Sequence, residues 1–204
     1  MNIISQSDTD FFLTGGTALS RAYYNHRYSD DLDFFLNRSF EYDEQLDKVL
    51  FLLQENGYKW NTEIDFIRAE YFTSIKIKKE SDVELKLDFI NDSVPLFGEI
   101  TSTKLFYRTD SIRNILSNKV SAIFRYAAKD IADIREIALN ENIDWIQIIK
   151  EARQKDAGLE LTYISQILTG MPQSEFEKIA WIKETDWNEL KKDIDKIAFD
   201  IINA

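Results

Sequence analysis

Residues 11–36 read FFLTGGTALSRAYYNHRYSDDLDFFL, and this stretch decides the fold. It opens as an apolar run, breaks at Gly15-Gly16, turns helix-like over 17–24 and closes on a strand-like run over 31–36. Side chains of a strand alternate between faces, so Asp31 and Asp33 share one face while Leu32 and Phe34 point the other way. Two carboxylates on one face of an otherwise apolar strand repel each other and lose hydration, a cost relieved by a cation or strong donors between them. Two glycines ahead of a helix let the backbone approach a ligand and aim free N–H groups at an anion. A phosphate cradle beside a divalent-metal clamp equips a site for phosphoryl or nucleotidyl transfer. Gly15-Gly16 is neither the P-loop nor the dinucleotide pattern and carries weight only in company with the aspartates. Thr17 is expected to cap the helix or to bond a phosphate oxygen.

Outward from this stretch, 10–14 reads as a buried strand and 25–29 as a polar loop. Leu46, Val49, Leu50 and Leu53 mark a helix over 40–56 that ends at Gly57. A strand is expected over 58–68. Two alternating runs, 71–78 and 83–90, are split by Glu80-Ser81-Asp82 and read as an antiparallel hairpin. In the second run Val83, Leu85, Leu87 and Phe89 alternate with Glu84, Lys86, Asp88 and Ile90, which puts Asp88 on the face opposite the core, as expected of Asp31 and Asp33. After Pro95 the pattern becomes helical, with segments near 111–139, 143–155, 159–169, 174–183 and 186–202 and breaks at Gly158, Gly170 and Pro172. The expectation is an α+β chain: an α/β core over 1–108 that carries the carboxylates, then a helical domain over 109–204.

At 204 residues, 44% hydrophobic and 30% charged, the chain has an ordinary globular composition and can bury a proper core. No apolar run approaches the ~20 residues of a membrane helix, and the N-terminal residues do not read as a signal peptide. The absence of cysteine excludes disulfides and thiolate metal sites and fits a reducing cytoplasm, and a single histidine excludes a His-rich zinc site. A net charge of −11 argues against broad nucleic-acid affinity, since phosphate-gripping proteins carry basic patches. It leaves room for a local docking groove, with short positive stretches at 76–79, 104–113 and 119–129.

The competing reading of Asp30, Asp31 and Asp33 is a solvated loop-to-strand junction. The glycine turn and the third strand aspartate, Asp88, tip the balance to metal binding. Arg27 either offsets Asp30 at the surface or reaches a phosphate, for which its planar fork is suited. His26 and Ser29 also lie just before the carboxylates, and the lone histidine is either structural or a candidate for the rim of the site. Further on, Leu116, Val120, Ile123, Ala127, Ile131 and Ile134 make a core stripe by helical spacing. Lys119, Tyr126, Asp130 and Asp133 fall on a neighbouring stripe, with Arg125 and Lys129 beside it. That stripe is either a solvated face of helix salt bridges or a lysine for nucleotide phosphates, oriented by Asp130.

The run GGTALSRAYYNHRYSDDLDFF, the strand VELKLDFI and the segment NKVSAIFRYAAKDIADI together resemble the AbiEii/AbiGii-type nucleotidyltransferases. These are the toxins of bacterial type IV toxin–antitoxin and abortive-infection systems, and they are similar to the DNA polymerase β-like superfamily. The resemblance covers 11–139. It implies a nucleotidyltransferase-fold mixed sheet with flanking helices and a helical bundle behind it. By it, Gly15, Gly16 and Thr17 would hold the nucleotide phosphates, with Arg27, Ser29, Arg125 and Asp130 as further nucleotide contacts. Asp31, Asp33 and Asp88 would coordinate two Mg²⁺ or Mn²⁺ ions, and Asp88 would assist deprotonation of the acceptor. Lys119, contributed by the helical domain, would offset charge on pyrophosphate. The implied partners are an NTP, an RNA acceptor such as a tRNA 3′ end, and a cognate antitoxin. A protein hydroxyl or a small molecule as acceptor, or a non-catalytic nucleotide-binding module, are the alternatives.

Overall fold

The computed structural model of the protein describes residues 1–79 and 84–204. Its contacts divide into two compact units: Met1–Tyr23, Ser29–Val94 and Glu99–Asp110 form unit 1, and Tyr24–Tyr28, Pro95–Gly98 and Ser111–Ala204 form unit 2.

Unit 1 begins with a short helix, α1 (Asn2–Ser5), and the buried strand β1 (Phe12–Thr14). Helix α2 (Gly15–Thr17) follows without a linker and continues as a π-wound turn over Ala18–Tyr24. Then come β2 (Asp31–Asn37), α3 (Tyr42–Glu55), β3 (Phe66–Ala69), β4 (Phe72–Ile77) and β5 (Leu85–Asp92). The five strands form one sheet in the order β1-β2-β5-β4-β3. Among these five strands β2 and β5 run parallel, and the other neighbouring pairs are antiparallel.

One face of this sheet is dry. Phe34, Ile75, Leu87 and Phe89 project from it, all fully buried or nearly so. Phe89 stacks on Phe34 at 5.5 Å and meets Phe11 edge-on at 5.1 Å, spacings at which aromatic pairs attract beyond their buried area. Helix α3 is anchored here by Tyr42, whose hydroxyl donates to the Phe89 carbonyl at 3.0 Å. The opposite face carries the polar half of each alternation. After β5 the chain returns to β1: the Leu13 N–H donates to the Arg108 carbonyl at 2.8 Å, and the Asp110 N–H to the Leu13 carbonyl at 2.9 Å.

Two expectations are corrected in unit 1. The strand over 58–68 shrinks to Phe66–Ala69, because 61–65 is occupied by a turn closed by the Asp65 N–H on the Asn61 carbonyl at 2.8 Å. Thr17 is not the helix cap, since helicity starts at Gly15 and Thr17 lies inside the first turn. The antiparallel pairing of β4 with β5 is as expected, while the turn at Glu80-Ser81-Asp82 lies outside the described residues.

Unit 2 is helical: α4 (Ile112–Ser121), a 3₁₀ turn (Ile123–Arg125), α5 (Ala128–Asn140), α6 (Trp145–Lys155), α7 (Leu161–Gly170), α8 (Gln173–Phe176) and α9 (Trp187–Ile202). The stripe expected as one helix over 111–139 is broken into three pieces, with Tyr126 in the left-handed region at φ 53°. The helix expected over 174–183 stops at Phe176. Ser111, Asp144 and Asp186 cap α4, α6 and α9 by accepting backbone N–H bonds, which satisfies donors the helix itself cannot pair. No helix among the described residues is long and apolar enough to cross a membrane.

Candidate active site

Register builds the site. Thr14 pairs with Asp33, Asp33 with Asp88, and Asp88 with Ser74, so four side chains from four strands form one polar row across the sheet. Paired positions present their side chains on the same face. The next row sets Asp31 opposite Lys86 and Lys86 opposite Lys76. The three expected carboxylates thus share the face opposite the aromatic core, with Asp33 and Asp88 directly opposed.

Each member of the row is held. Ser74 Oγ donates to Asp88 Oδ1 at 2.6 Å, and Lys86 Nζ donates to Asp88 Oδ2 at 2.5 Å. Lys86 Nζ is also 3.9 Å from Asp31 Oδ2. Partial burial works against the charge on Lys86, yet the hydrogen bond to Asp88 and the charges of Asp88, Asp31 and Asp33 raise its pKa above the ordinary lysine value. Thr14 Oγ1 donates to the buried Asp110 Oδ2 at 2.6 Å. The Thr17 hydroxyl donates to the Asp31 carbonyl, tying the first turn of α2 to the strand that carries the aspartates.

Gly15 lies against this row. Its φ is +69°, a conformation L side chains rarely adopt, and a Cβ there would overlap Asp33 Oδ2. The glycine turn expected to approach a ligand therefore approaches the carboxylate that flanks it.

Among the described residues, no three His, Cys, Asp or Glu side chains are grouped tightly enough to hold a metal ion by themselves. Magnesium does not require such a cage: one or two carboxylates commonly hold it, with water and substrate phosphates completing the octahedron. Asp33 and Asp88, hard oxygen donors opposed across paired strands with Asp31 beside them, fit that chemistry.

The second cluster lies within unit 2. Asp133 is fully buried and accepts from His26 Nε2 at 2.8 Å and from Arg27 Nε and an Arg27 terminal nitrogen at 2.7 Å each. Lys119 Nζ is 2.6 Å from Asp133 and 2.7 Å from Asp130, which also takes Arg125 at 2.8 Å. Burial alone would raise the Asp133 pKa, but Lys119, His26 and Arg27 hold it well below the usual carboxylate range. Lys119 is shifted upward, its burial outweighed by Asp133 and Asp130. Lys119, Asp130 and Asp133 of the stripe are thus buried rather than solvated, while Arg125, Tyr126 and Lys129 are exposed. Arg27 is buried, its fork closed on Asp133, and the surface pairing with Asp30 is corrected accordingly. Ser29 is half-buried just ahead of β2.

The family model of the nucleotidyl transferase AbiEii toxin of type IV toxin–antitoxin systems matches residues 2–200. The chain belongs to the AbiEii family. As an AbiEii-family chain it is a nucleotidyltransferase of the toxin class, and the resemblance read from 11–139 extends over nearly its whole length. Its fold is similar to that of JHP933 from Helicobacter pylori, at TM-score 0.66 and 20% identity over 98% of this chain and 87% of that one. It is similar also to MenT4, a nucleotidyltransferase toxin from Mycobacterium tuberculosis, at TM-score 0.66 and 15% identity over 98% of this chain and 79% of that one. None of the curated proteins matches.

Ser74, within the row, and Lys86, in the row beside it, were not singled out by sequence. Lys86 stands two positions from Asp88, a spacing that puts both on one strand face and could have flagged it. Ser74 carries no local signal, because only the β4–β5 register brings it to Asp88.

Proposed function

We propose that this AbiEii-family chain transfers a nucleoside monophosphate from an NTP to an RNA acceptor, with Asp31, Asp33 and Asp88 holding the divalent cation. The observation that supports this reading most is the direct opposition of Asp33 and Asp88 on parallel strands, with Asp31 on the same face. When bound, Mg²⁺ or Mn²⁺ polarises the phosphates and stabilises charge on the attacking and leaving oxygens. The rest of the work falls to the chain. The backbone at Gly15, Gly16 and Thr17 receives the triphosphate, and Ser29 lies at the rim. Asp88, oriented by Ser74, takes the proton of the acceptor hydroxyl as its oxygen bonds to the α-phosphorus and pyrophosphate leaves. Lys119, Arg125 and Asp130 enter the nucleotide-binding set only through the family resemblance. Arg27 we read as a brace of unit 2, since a phosphate could claim its fork only by breaking a buried ion pair. An NTP substrate is in keeping with a cytoplasmic reaction, and the family pairs the toxin with an antitoxin.

The test is incubation of the protein with each α-³²P-labelled NTP, Mg²⁺ and total cellular RNA, beside the Asp31→Asn/Asp33→Asn variant. Label in a discrete RNA band, lost in the variant, is the expected result. Equal transfer by the variant would refute the assignment of the carboxylates. The net charge of −11 favours a second reading, in which the acceptor is a protein hydroxyl and the label appears in protein.

A further inference from the structure

Lys86, in the row beside Asp33 and Asp88, is a cation among the carboxylates. Its ammonium bonds Asp88 at 2.5 Å and reaches Asp31 at 3.9 Å, on the same strand face as all three carboxylates. It is a protein stand-in for a metal ion at this position. Two observations make the contact displaceable. The Lys86 side chain is 36% exposed and so is open to solvent. Asp88 is anchored independently through its other oxygen by Ser74 and would keep its orientation if Lys86 left. On the far side, Lys76 is paired in register with Lys86, and like charges directly opposite repel, which biases the Lys86 head toward the acids.

We propose that Lys86 is a displaceable counter-ion that keeps the nucleotide-free site weak for divalent cations, so that the metal enters together with the NTP and the released ammonium turns to the triphosphate. This rests on the reading of Asp31, Asp33 and Asp88 as the metal ligands. The consequence is an order of binding. A metal alone must evict Lys86 with nothing to receive it. A metal–NTP complex brings phosphate oxygens for the ammonium to bond, so eviction loses no charge pairing.

The experiment is Mn²⁺ titration of the nucleotide-free protein, followed by the paramagnetic signal of the free ion, in the wild type, Lys86→Met and Lys86→Gln. Both variants should bind Mn²⁺ about tenfold tighter than the wild type or more, the scale of one charge-assisted hydrogen bond removed from the competition. Asp88→Asn added to either should erase the gain. With a non-hydrolysable NTP present the order should reverse, the wild type binding the metal–nucleotide complex more tightly than the variants. Thermal melts of the two variants establish that both fold. Unchanged Mn²⁺ affinity in both variants, with binding still lost on Asp33→Asn, would overturn the role of Lys86 and leave the metal ligands standing. Mn²⁺ binding in no protein, with or without nucleotide, would overturn both.

Discussion

Gly15 and Asp33 share a space that holds only one of a Cβ and a carboxylate. The glycine, at φ +69°, packs its Cα hydrogens against Asp33, and a methyl group there would overlap Oδ2. Gly15→Ala therefore suffers twice, through the left-handed backbone, about 1–2 kcal/mol, and through displacement of the carboxylate. Gly57→Ala isolates the first effect, because its φ is +83° while its nearest neighbour, Lys79 Cε, stands at 3.8 Å. Both variants should melt lower than the wild type, and only Gly15→Ala should lose nucleotidyl transfer, by about 100-fold, the scale for a misplaced catalytic group.

Asp88 is held by Ser74 and Lys86 and is opposed to Asp33 across the β2–β5 pair. Both Asp33→Asn and Asp88→Asn should lose transfer, by at least about 100-fold on the scale of a removed electrostatic contributor. Asp88→Asn also weakens a partly exposed ion pair with Lys86 and should lose about 1 kcal/mol of stability in urea unfolding. Unchanged stability of Asp88→Asn would contradict a stabilising contribution from that pair.

Much of this was legible in the sequence. The glycine turn, the helix behind it, the two strand aspartates and the third at Asp88 follow from local periodicity, which reports which face a side chain takes. Pairing is another matter. That β2 lies beside β5, parallel and with Asp33 opposite Asp88, is set by how the Phe34, Phe89 and Phe11 rings pack, and no local pattern encodes it. Ser74 was hidden for the same reason. His26 and Arg27 looked like a polar loop because their partner, Asp133, lies more than a hundred residues downstream. The break at Tyr126 was invisible because apolar spacing continues through it at Ala127 and Ile131.

Asp133 is the keystone of the buried network in unit 2. Three cationic or donating side chains, His26, Arg27 and Lys119, converge on a carboxylate with no exposed surface. Asp133→Ala leaves Arg27 and Lys119 buried with their main counter-charge gone, which should cost about 3–5 kcal/mol. Asp133→Asn keeps the shape and should fall between. Urea unfolding followed by tryptophan fluorescence suits the test, since three of the four tryptophans, Trp145, Trp181 and Trp187, lie in unit 2, with Trp60 in unit 1. A loss below about 1 kcal/mol, the range of surface pairs, would rule out a keystone role.

The same network sets a pH window. Asp133 has its pKa lowered by folding, so its contribution is complete above the ordinary value of about 4 and is lost as pH falls toward the depressed one. Lys119 has its pKa raised, so its contribution is complete below about 10.4 and is lost as pH rises through the folded value. The difference in stability between the wild type and Asp133→Asn should therefore be flat across neutral pH. Below pH ~4 it should shrink as the wild type alone loses the carboxylate's contribution. Urea midpoints of the two proteins from pH 3 to 8 measure this directly, and a difference that grows on acidification would reverse the sign and the assignment.

Ser74 offers the finest test of positioning, because it touches only Asp88 Oδ1 in the row, at 2.6 Å. A hydrogen bond to a charged group contributes about 1.5–3 kcal/mol when buried, and Ser74 is 9% exposed. Ser74→Ala leaves Asp88 still paired with Lys86 but free to rotate toward it. Transfer should fall about tenfold through kcat, with KM for the NTP little changed, since the hydroxyl acts on the orientation of the carboxylate rather than on the nucleotide. Ser74→Thr restores the donor and should recover most of the rate. A merely structural role would lower the melting temperature of Ser74→Ala without moving kcat, and the threonine variant would then rescue stability alone.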